Sequence, residues 1–258
     1  MVHLTGLRGL VVGVANKRSL AWAIAKAADE AGAKLTISYA TERFEKNACN
    51  LAETLSQTTA TVKCDVTDEE DISALADHIA AEHGHIDFLV HAVAFASREA
   101  ISERFLKTTR NDFAQSLDIS SYSLVALARA LTPLMERTGG GSILTLSYLG
   151  SERVFPHYNV MGVAKAALES TVRYLASDLG PSNIRVNAVS AGPVKTLAAS
   201  GIPGFSRILQ YYRERSPLGR TVDAEEVAAA ALFLLGPASK AVTGEVLHVD
   251  GGYHIIGM

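Results

Sequence analysis

Leu10-Val11-Val12-Gly13-Val14-Ala15-Asn16-Lys17-Arg18-Ser19-Leu20-Ala21-Trp22-Ala23-Ile24-Ala25 decides the fold: a short apolar strand, a loop with one glycine, then a helix that opens at a serine. An unbroken apolar strand, rather than an alternating one, belongs in a sheet covered by helices on both faces. The helix start leaves unpaired amide hydrogens and the positive end of the helix dipole at the edge of that sheet, a setting that suits a pyrophosphate. Gly13 gives the turn, and Ser19, ahead of Leu20, can cap the helix and donate to a phosphate oxygen. The loop lacks the G-x-G-x-x-G fingerprint, so an ordinary strand-to-helix turn competes until the rest of the chain is read.

Outward from this stretch the same rhythm repeats. Strands are expected near 8 to 13, 34 to 39, 60 to 64, 86 to 91, 141 to 147, 183 to 188 and 245 to 249, and helices near 19 to 32, 42 to 56, 68 to 83, 110 to 136, 157 to 179 and 223 to 235. Alternating strands and helices predict an α/β Rossmann fold: a doubly wound, seven-stranded parallel sheet forming one domain over residues 1–258. Right-handed crossovers then bring every strand's carboxyl end to one edge, where such sheets bind ligands. Gly139-Gly140-Gly141 reads as a turn. The stretch 192–220, with Gly201, Pro203, Gly204 and Pro217, breaks the rhythm and reads as a lid.

Composition excludes several classes. Of 258 residues, 48% are hydrophobic and 20% charged, with a net charge of −3, so neither disorder nor attraction to nucleic acid is expected. Cys49 and Cys64 lack the spacing of a disulfide framework or metal site, and no metal is expected. The amino terminus has no secretory pattern and no apolar run is long enough to span a bilayer, which predicts a cytoplasmic protein without membrane contact.

Further ligand candidates lie at the strand ends. Ala40 follows the second strand where NAD-specific sites often place an acid, and Arg43 is the nearby cation for a 2′-phosphate, or else a solvated charge. Asp65 and Val66 follow the third strand, Asp65 being either an adenine acceptor or a helix cap. Val93 lies in the small-residue stretch His91-Ala92-Val93-Ala94-Phe95 after the fourth.

Leu146-Ser147-Tyr148-Leu149-Gly150 closes the fifth strand, and Tyr158-Asn159-Val160-Met161-Gly162-Val163-Ala164-Lys165 enters the next helix. Tyr158 and Lys165 are two turns apart on one helix face, about 10 Å along the axis. A lysine cation near the phenol is expected to lower the phenol's pKa and strengthen its hydrogen bond to a developing oxyanion.

Almost the whole chain resembles the enoyl-acyl carrier protein reductases of the divergent short-chain dehydrogenase group, through Gly13-Val14-Ala15-Asn16-Lys17, Leu144 to Gly150, Tyr158 to Gly162 and Ser190-Ala191-Gly192-Pro193. The resemblance implies hydride transfer from NADH, or NADPH, to C3 of a trans-2-enoyl thioester on acyl carrier protein, the last step of the fatty acid elongation cycle. It implies that Tyr158 holds the enolate oxygen, that Lys165 anchors the nicotinamide ribose and that Tyr148 lines the reacting centre. It adds Gly13, Ser19, Leu20, Ala40, Asp65, Val66, Val93, Lys165, Val194, Lys195, Thr196, Leu197 and Ala198 as cofactor contacts, Ala96 as a substrate contact, and a homotetramer. Many NADH-using relatives have Gln where Ala40 stands.

In the lid, Lys195, Arg207, Arg213, Arg215 and Arg220 face only Glu214, a positive rim suited to an acidic carrier protein, while Leu197, Ile202, Phe205, Ile208 and Leu209 form an acyl slot or plain core. Two rivals remain. A carbonyl-reducing short-chain dehydrogenase needs Tyr-x3-Lys, yet residue 162 is Gly; a nucleotide-sensing regulator needs neither Tyr158 nor Lys165.

Overall fold

Alternate residues of the first strand point to opposite faces of one sheet. In the computed structural model, which describes residues 3–57 and 59–257, β1 (Arg8–Val12) places Val11 in one apolar cluster and Leu10 and Val12 in the other. β4 (Phe88–His91) divides likewise, with Phe88 and Val90 on the first face and Leu89 on the second. Side chains of a strand alternate in direction, so only a sheet buried on both sides gives such runs a reason to be apolar throughout.

The remaining strands among the described residues are β2 (Lys34–Tyr39), β3 (Ala60–Lys63), β5 (Gly141–Ser147), β6 (Ile184–Ala191) and β7 (Val246–Val249). All pair in parallel in the order β3-β2-β1-β4-β5-β6-β7, the doubly wound sheet expected from the sequence. The first face is covered by α1 (Leu20–Glu30), α2 (Glu42–Ala52) and α10 (Ala224–Leu235). The second is covered by α3 (Glu69–His83), α6 (Ser123–Glu136) and α7 (Val160–Leu179). The chain winds one way from β1 to β2 and the other way after β4, so a crevice opens between the carboxyl ends of β1 and β4, where such folds take their ligand.

The helix expected over 110 to 136 is interrupted. α4 (Arg98–Ser102) precedes α5 (Arg110–Leu117), and a π-helical turn at Asp118–Tyr122 separates α5 from α6. Serine hydroxyls compete with backbone pairing there: Ser123 Oγ donates to Ile119 O at 2.7 Å, and Ser120 Oγ accepts from Phe95 N at 3.0 Å. The π turn thereby holds the loop after β4 in place, a use to which such bulges are often put near functional sites. The 192–220 stretch, which breaks the strand-helix rhythm of the sequence, contains α8 (Leu197–Ser200) and α9 (Phe205–Arg215).

Asp29, near the end of α1, is 6% exposed and accepts from Ser56 N and Ser56 Oγ, both at 2.8 Å, and from Gln57 N at 3.0 Å. The phosphate-facing helix is thus tied to the connection that leads into β3. Asp29→Ala leaves these donors unpaired and is expected to cost about 3 kcal/mol, lowering Tm by roughly 6–12 °C for a chain of this size. A thermal melt checks this, and an unchanged Tm refutes it.

Candidate active site

At the phosphate end Gly13 adopts φ +97°, and a Cβ there would lie 2.4 Å from the Ala92 carbonyl, so bare backbone is what lets β1 and β4 approach at the crevice. Ser19 caps α1 by accepting from Trp22 N at 3.1 Å. Its hydroxyl also donates to Asn16 O at 2.8 Å. The amides of Leu20 and Ala21, which have no partner within the helix, point an anion-binding terminus at the crevice.

Ala40, Glu42, Arg43, Lys63, Asp65 and Asp71 border one cavity of about 360 Å³ beyond the ends of β2 and β3. Asp65 Oδ1 accepts from Thr67 N at 3.0 Å and Thr67 Oγ1 at 2.7 Å, so one oxygen shapes the turn and the carboxylate still borders the cavity. The acid sought at the end of β2 stands two residues later, as Glu42 on the first turn of α2, and Lys63 is a second cation beside Arg43. Val66 is buried, and Val93 and Ala96 are half-buried on the loops beside the crevice. Val194 packs against the core, Thr196 Oγ1 accepts from Ala199 N at 3.0 Å, Lys195 and Leu197 are exposed, and Ala198 lies in α8.

At the end of β5, Thr145, Leu146 and Ser147 each hold a buried polar group. His91 lies between Thr145 Oγ1 and Ser123 Oγ, 2.8 Å from each ring nitrogen, and burial together with the nearby Lys165 lowers its pKa to about 3. Lys165, 6% exposed, donates from Nζ to Leu146 O at 2.7 Å; burial lowers its pKa to about 8 against the opposing pull of Glu169. Glu169 accepts from Ser147 Oγ and, at 2.7 Å, from Ser151 Oγ.

Tyr158 lies between His157 at φ +64° and Asn159 at φ +45°, backbone conformations that L residues rarely hold without support. Asn159 Nδ2 supplies it, donating to Ala100 O at 3.0 Å and Glu103 O at 2.8 Å. The Tyr148 and Tyr158 rings meet edge to face with centroids 4.9 Å apart. The expected lowering of the Tyr158 pKa is not found: burial, then Tyr148, then Glu169 raise it, and the Lys165 ammonium is engaged with the Leu146 carbonyl. Tyr158 is therefore a neutral phenol, a hydrogen-bond donor rather than a phenolate.

Sequence reasoning missed Tyr212 of α9, which is fully buried and stacks on Tyr253 at 3.8 Å. The Tyr148 and Tyr212 hydroxyls are both buried, and among the described residues neither has a hydrogen-bond partner. Nothing in a helix pattern distinguishes such a tyrosine from a surface one, and only the neighbouring Tyr211 hints at the aromatic face. Of the slot residues, Leu209 is buried, Ile202, Phe205 and Ile208 are half-buried and Leu197 is 56% exposed. Arg207 and Arg215 flank the Tyr211 ring at 5.4 and 5.5 Å. Arg220 instead pairs with Glu226 at 2.6 Å, so it does not belong to the positive rim expected from sequence. Among the described residues no cluster of His, Cys, Asp and Glu could hold a metal, and no helix is long and apolar enough to cross a membrane.

Residues 13–254 match a family profile described as enoyl-(acyl carrier protein) reductase. The chain is 52% identical to enoyl-[acyl-carrier-protein] reductase [NADH] 1 of Rhizobium meliloti, over 99% of this chain and 93% of that protein. It is 50% identical to the FabI enzyme of Bacillus cereus over the full length of both. Two crystal structures superpose on it closely. The Bacillus cereus enoyl-acyl carrier protein reductase with NADP+ and indole naphthyridinone has a TM-score of 0.97 at 49% identity, covering 100% of each chain. The Anaplasma phagocytophilum enzyme in complex with NAD has a TM-score of 0.95 at 49% identity, covering 99% of this chain and 96% of that one.

His91 makes the site acid-sensitive. Its pKa falls from 6.5 to about 3 on folding, so the unfolded chain takes up the proton first and stability is lost as pH drops from about 6.5 toward 3. Between pH 7 and 4.5 this amounts to about 3 kcal/mol. His91→Gln, which cannot titrate, is expected to flatten that part of the pH dependence in urea unfolding; an unaltered slope counts against it.

Proposed function

The chain belongs to the enoyl-(acyl carrier protein) reductase family, and on that premise we propose that it reduces the C2–C3 double bond of trans-2-enoyl thioesters on acyl carrier protein, with NADH as reductant. The observation that carries the reading is the convergence of Tyr148, Tyr158 and Lys165 beyond β5, beside the crevice between β1 and β4. The carbonyl-reducing alternative needs a lysine at 162, where a Cβ would lie 2.6 Å from the Gly150 carbonyl. The regulator alternative gives no reason to bury an ammonium at 165.

The protein's features fit NADH. The first-turn amides of α1 suit the pyrophosphate, the cavity bordered by Glu42 and Asp65 suits the adenosine, and Lys165 suits the nicotinamide ribose hydroxyls. Around that cavity the acids Glu42, Asp65, Asp68 and Asp71 outnumber Arg43 and Lys63, which disfavours a 2′-phosphate and makes NADPH the poorer donor. NADH, when bound, supplies hydride to C3 of the substrate and becomes NAD+, and a proton taken up from solvent at C2 completes the reduction. Tyr158, kept neutral by its surroundings, donates a hydrogen bond to the thioester oxygen as negative charge develops there. Tyr148 packs against Tyr158 and fixes its ring, and Ala96 borders the substrate.

Residues 192–220 act as the lid, with Ile202, Phe205, Ile208 and Leu209 excluding water from the acyl chain. Arg207, Arg213 and Arg215 of α9 receive the acidic carrier. A homotetramer is supported by the half-exposed β7, at the sheet edge, and by Tyr174 of α7, which is 75% exposed. A cytoplasmic location completes the assignment.

The decisive assay mixes the protein with NADH and crotonyl thioester and follows nicotinamide absorbance, with acetoacetyl thioester as control. Turnover of the enoyl substrate alone is expected, and turnover of the keto substrate alone refutes the assignment. Tyr158→Phe is expected to lower kcat roughly 10²-fold or more, the usual loss for one oxyanion donor, while NADH still binds. The double variant Arg207→Glu, Arg215→Glu is expected to raise KM for the carrier-bound thioester, with the effect shrinking in high salt, and to leave the small thioester unaffected. Equal losses on both substrates refute the docking role.

A further inference from the structure

Glu169 lies one helical turn beyond Lys165 on α7, is 6% exposed, and has no part in the reaction as described above. A buried carboxylate is expensive unless donors and a cation compensate it. Here Ser147 Oγ and Ser151 Oγ both donate to Oε1, the latter at 2.7 Å. These serines bracket the turn that carries Tyr148, and that turn places the Gly150 carbonyl against Gly162 in the first turn of α7. The carboxylate also acts on the buried Lys165, opposing the effect of burial on its ammonium.

We propose that Glu169 is a positioning residue of the reductase site: one carboxylate oxygen clasps the turn that presents Tyr148, and its charge keeps Lys165 a cation for the ribose. The proposal rests on the functional reading above and adds a residue to it. The other titratable group that acts with Lys165 is His91 on β4, which burial and the ammonium itself keep neutral at working pH. Glu169 is therefore the negative charge available to hold the ammonium.

Glu169→Gln separates the two duties, since the amide oxygen still accepts from both serines while the charge is gone. NADH binding by this variant, followed by fluorescence from pH 6 to 9.5, is expected to weaken on the alkaline side about one pH unit or more below the wild-type profile. At pH 6, where Lys165 is protonated in either protein, the two are expected to bind NADH alike, so the loss is confined to the alkaline side. Ser151→Ala, which removes a donor and keeps the charge, should leave the binding profile in place and lower kcat. Superposable NADH-binding profiles for wild type and Glu169→Gln overturn the proposal, as does an unaltered kcat for Ser151→Ala. The binding profile is read without turnover, so a wild-type protein that binds NADH but leaves crotonyl thioester untouched sinks the functional reading alone.

Discussion

The ammonium of Lys165, buried under the carboxyl edge of the sheet, is the constraint around which the site is built. Taking such a charge out of water costs several kcal/mol unless neighbours compensate. The compensation is local: the Leu146 carbonyl accepts a hydrogen bond from it, and Glu169 supplies opposite charge from the same helix. His91 stays neutral beside it, since a second cation there would undo the arrangement. Three consecutive residues of β5 hold these three groups, so strand register alone puts histidine, lysine and glutamate in fixed relation. A slip by one residue would turn Thr145 and Ser147 to the opposite face and dismantle the set.

That arrangement also explains why the phenol at 158 stays neutral. A lysine two turns along a helix looks, on spacing alone, like a group that lowers a tyrosine pKa. The structure turns the ammonium toward a backbone carbonyl and leaves the phenol among Tyr148, buried surroundings and a carboxylate, each of which opposes ionisation. A neutral donor is the better partner for an oxygen that becomes negative during hydride transfer, since its hydrogen bond strengthens as the charge grows. In the proposed reaction Lys165 is therefore assigned to the cofactor and not to the phenol.

The sheet and most helices were legible in the sequence because apolar periodicity and burial on two faces are properties of short segments. Leu10, Val11 and Val12 announce a doubly covered strand whatever lies elsewhere. What escaped depends on contacts far apart in the chain. The π turn at Asp118–Tyr122 exists because serine hydroxyls find partners in the loop after β4, which a helical pattern cannot reveal. Asn159 in a positive-φ conformation depends on carbonyls at Ala100 and Glu103. The family resemblance brought Tyr148, Tyr158 and Lys165 into view as a set. It left Glu169 and Tyr212 unremarked, because a buried glutamate or tyrosine is written in sequence with the same letters as a surface one.

Tyr212 ties α9 to the rest of the molecule. Its ring stacks on Tyr253, and Asp250 at the end of β7 fixes that terminal segment by accepting from Gly252 N and His254 N at 2.9 and 2.8 Å. The hydroxyl is buried in the same region as that of Tyr148, and burial raises the pKa of both phenols. The α9 helix is thus anchored on its inner face by an aromatic stack while its outer face carries the Arg207–Tyr211–Arg215 row.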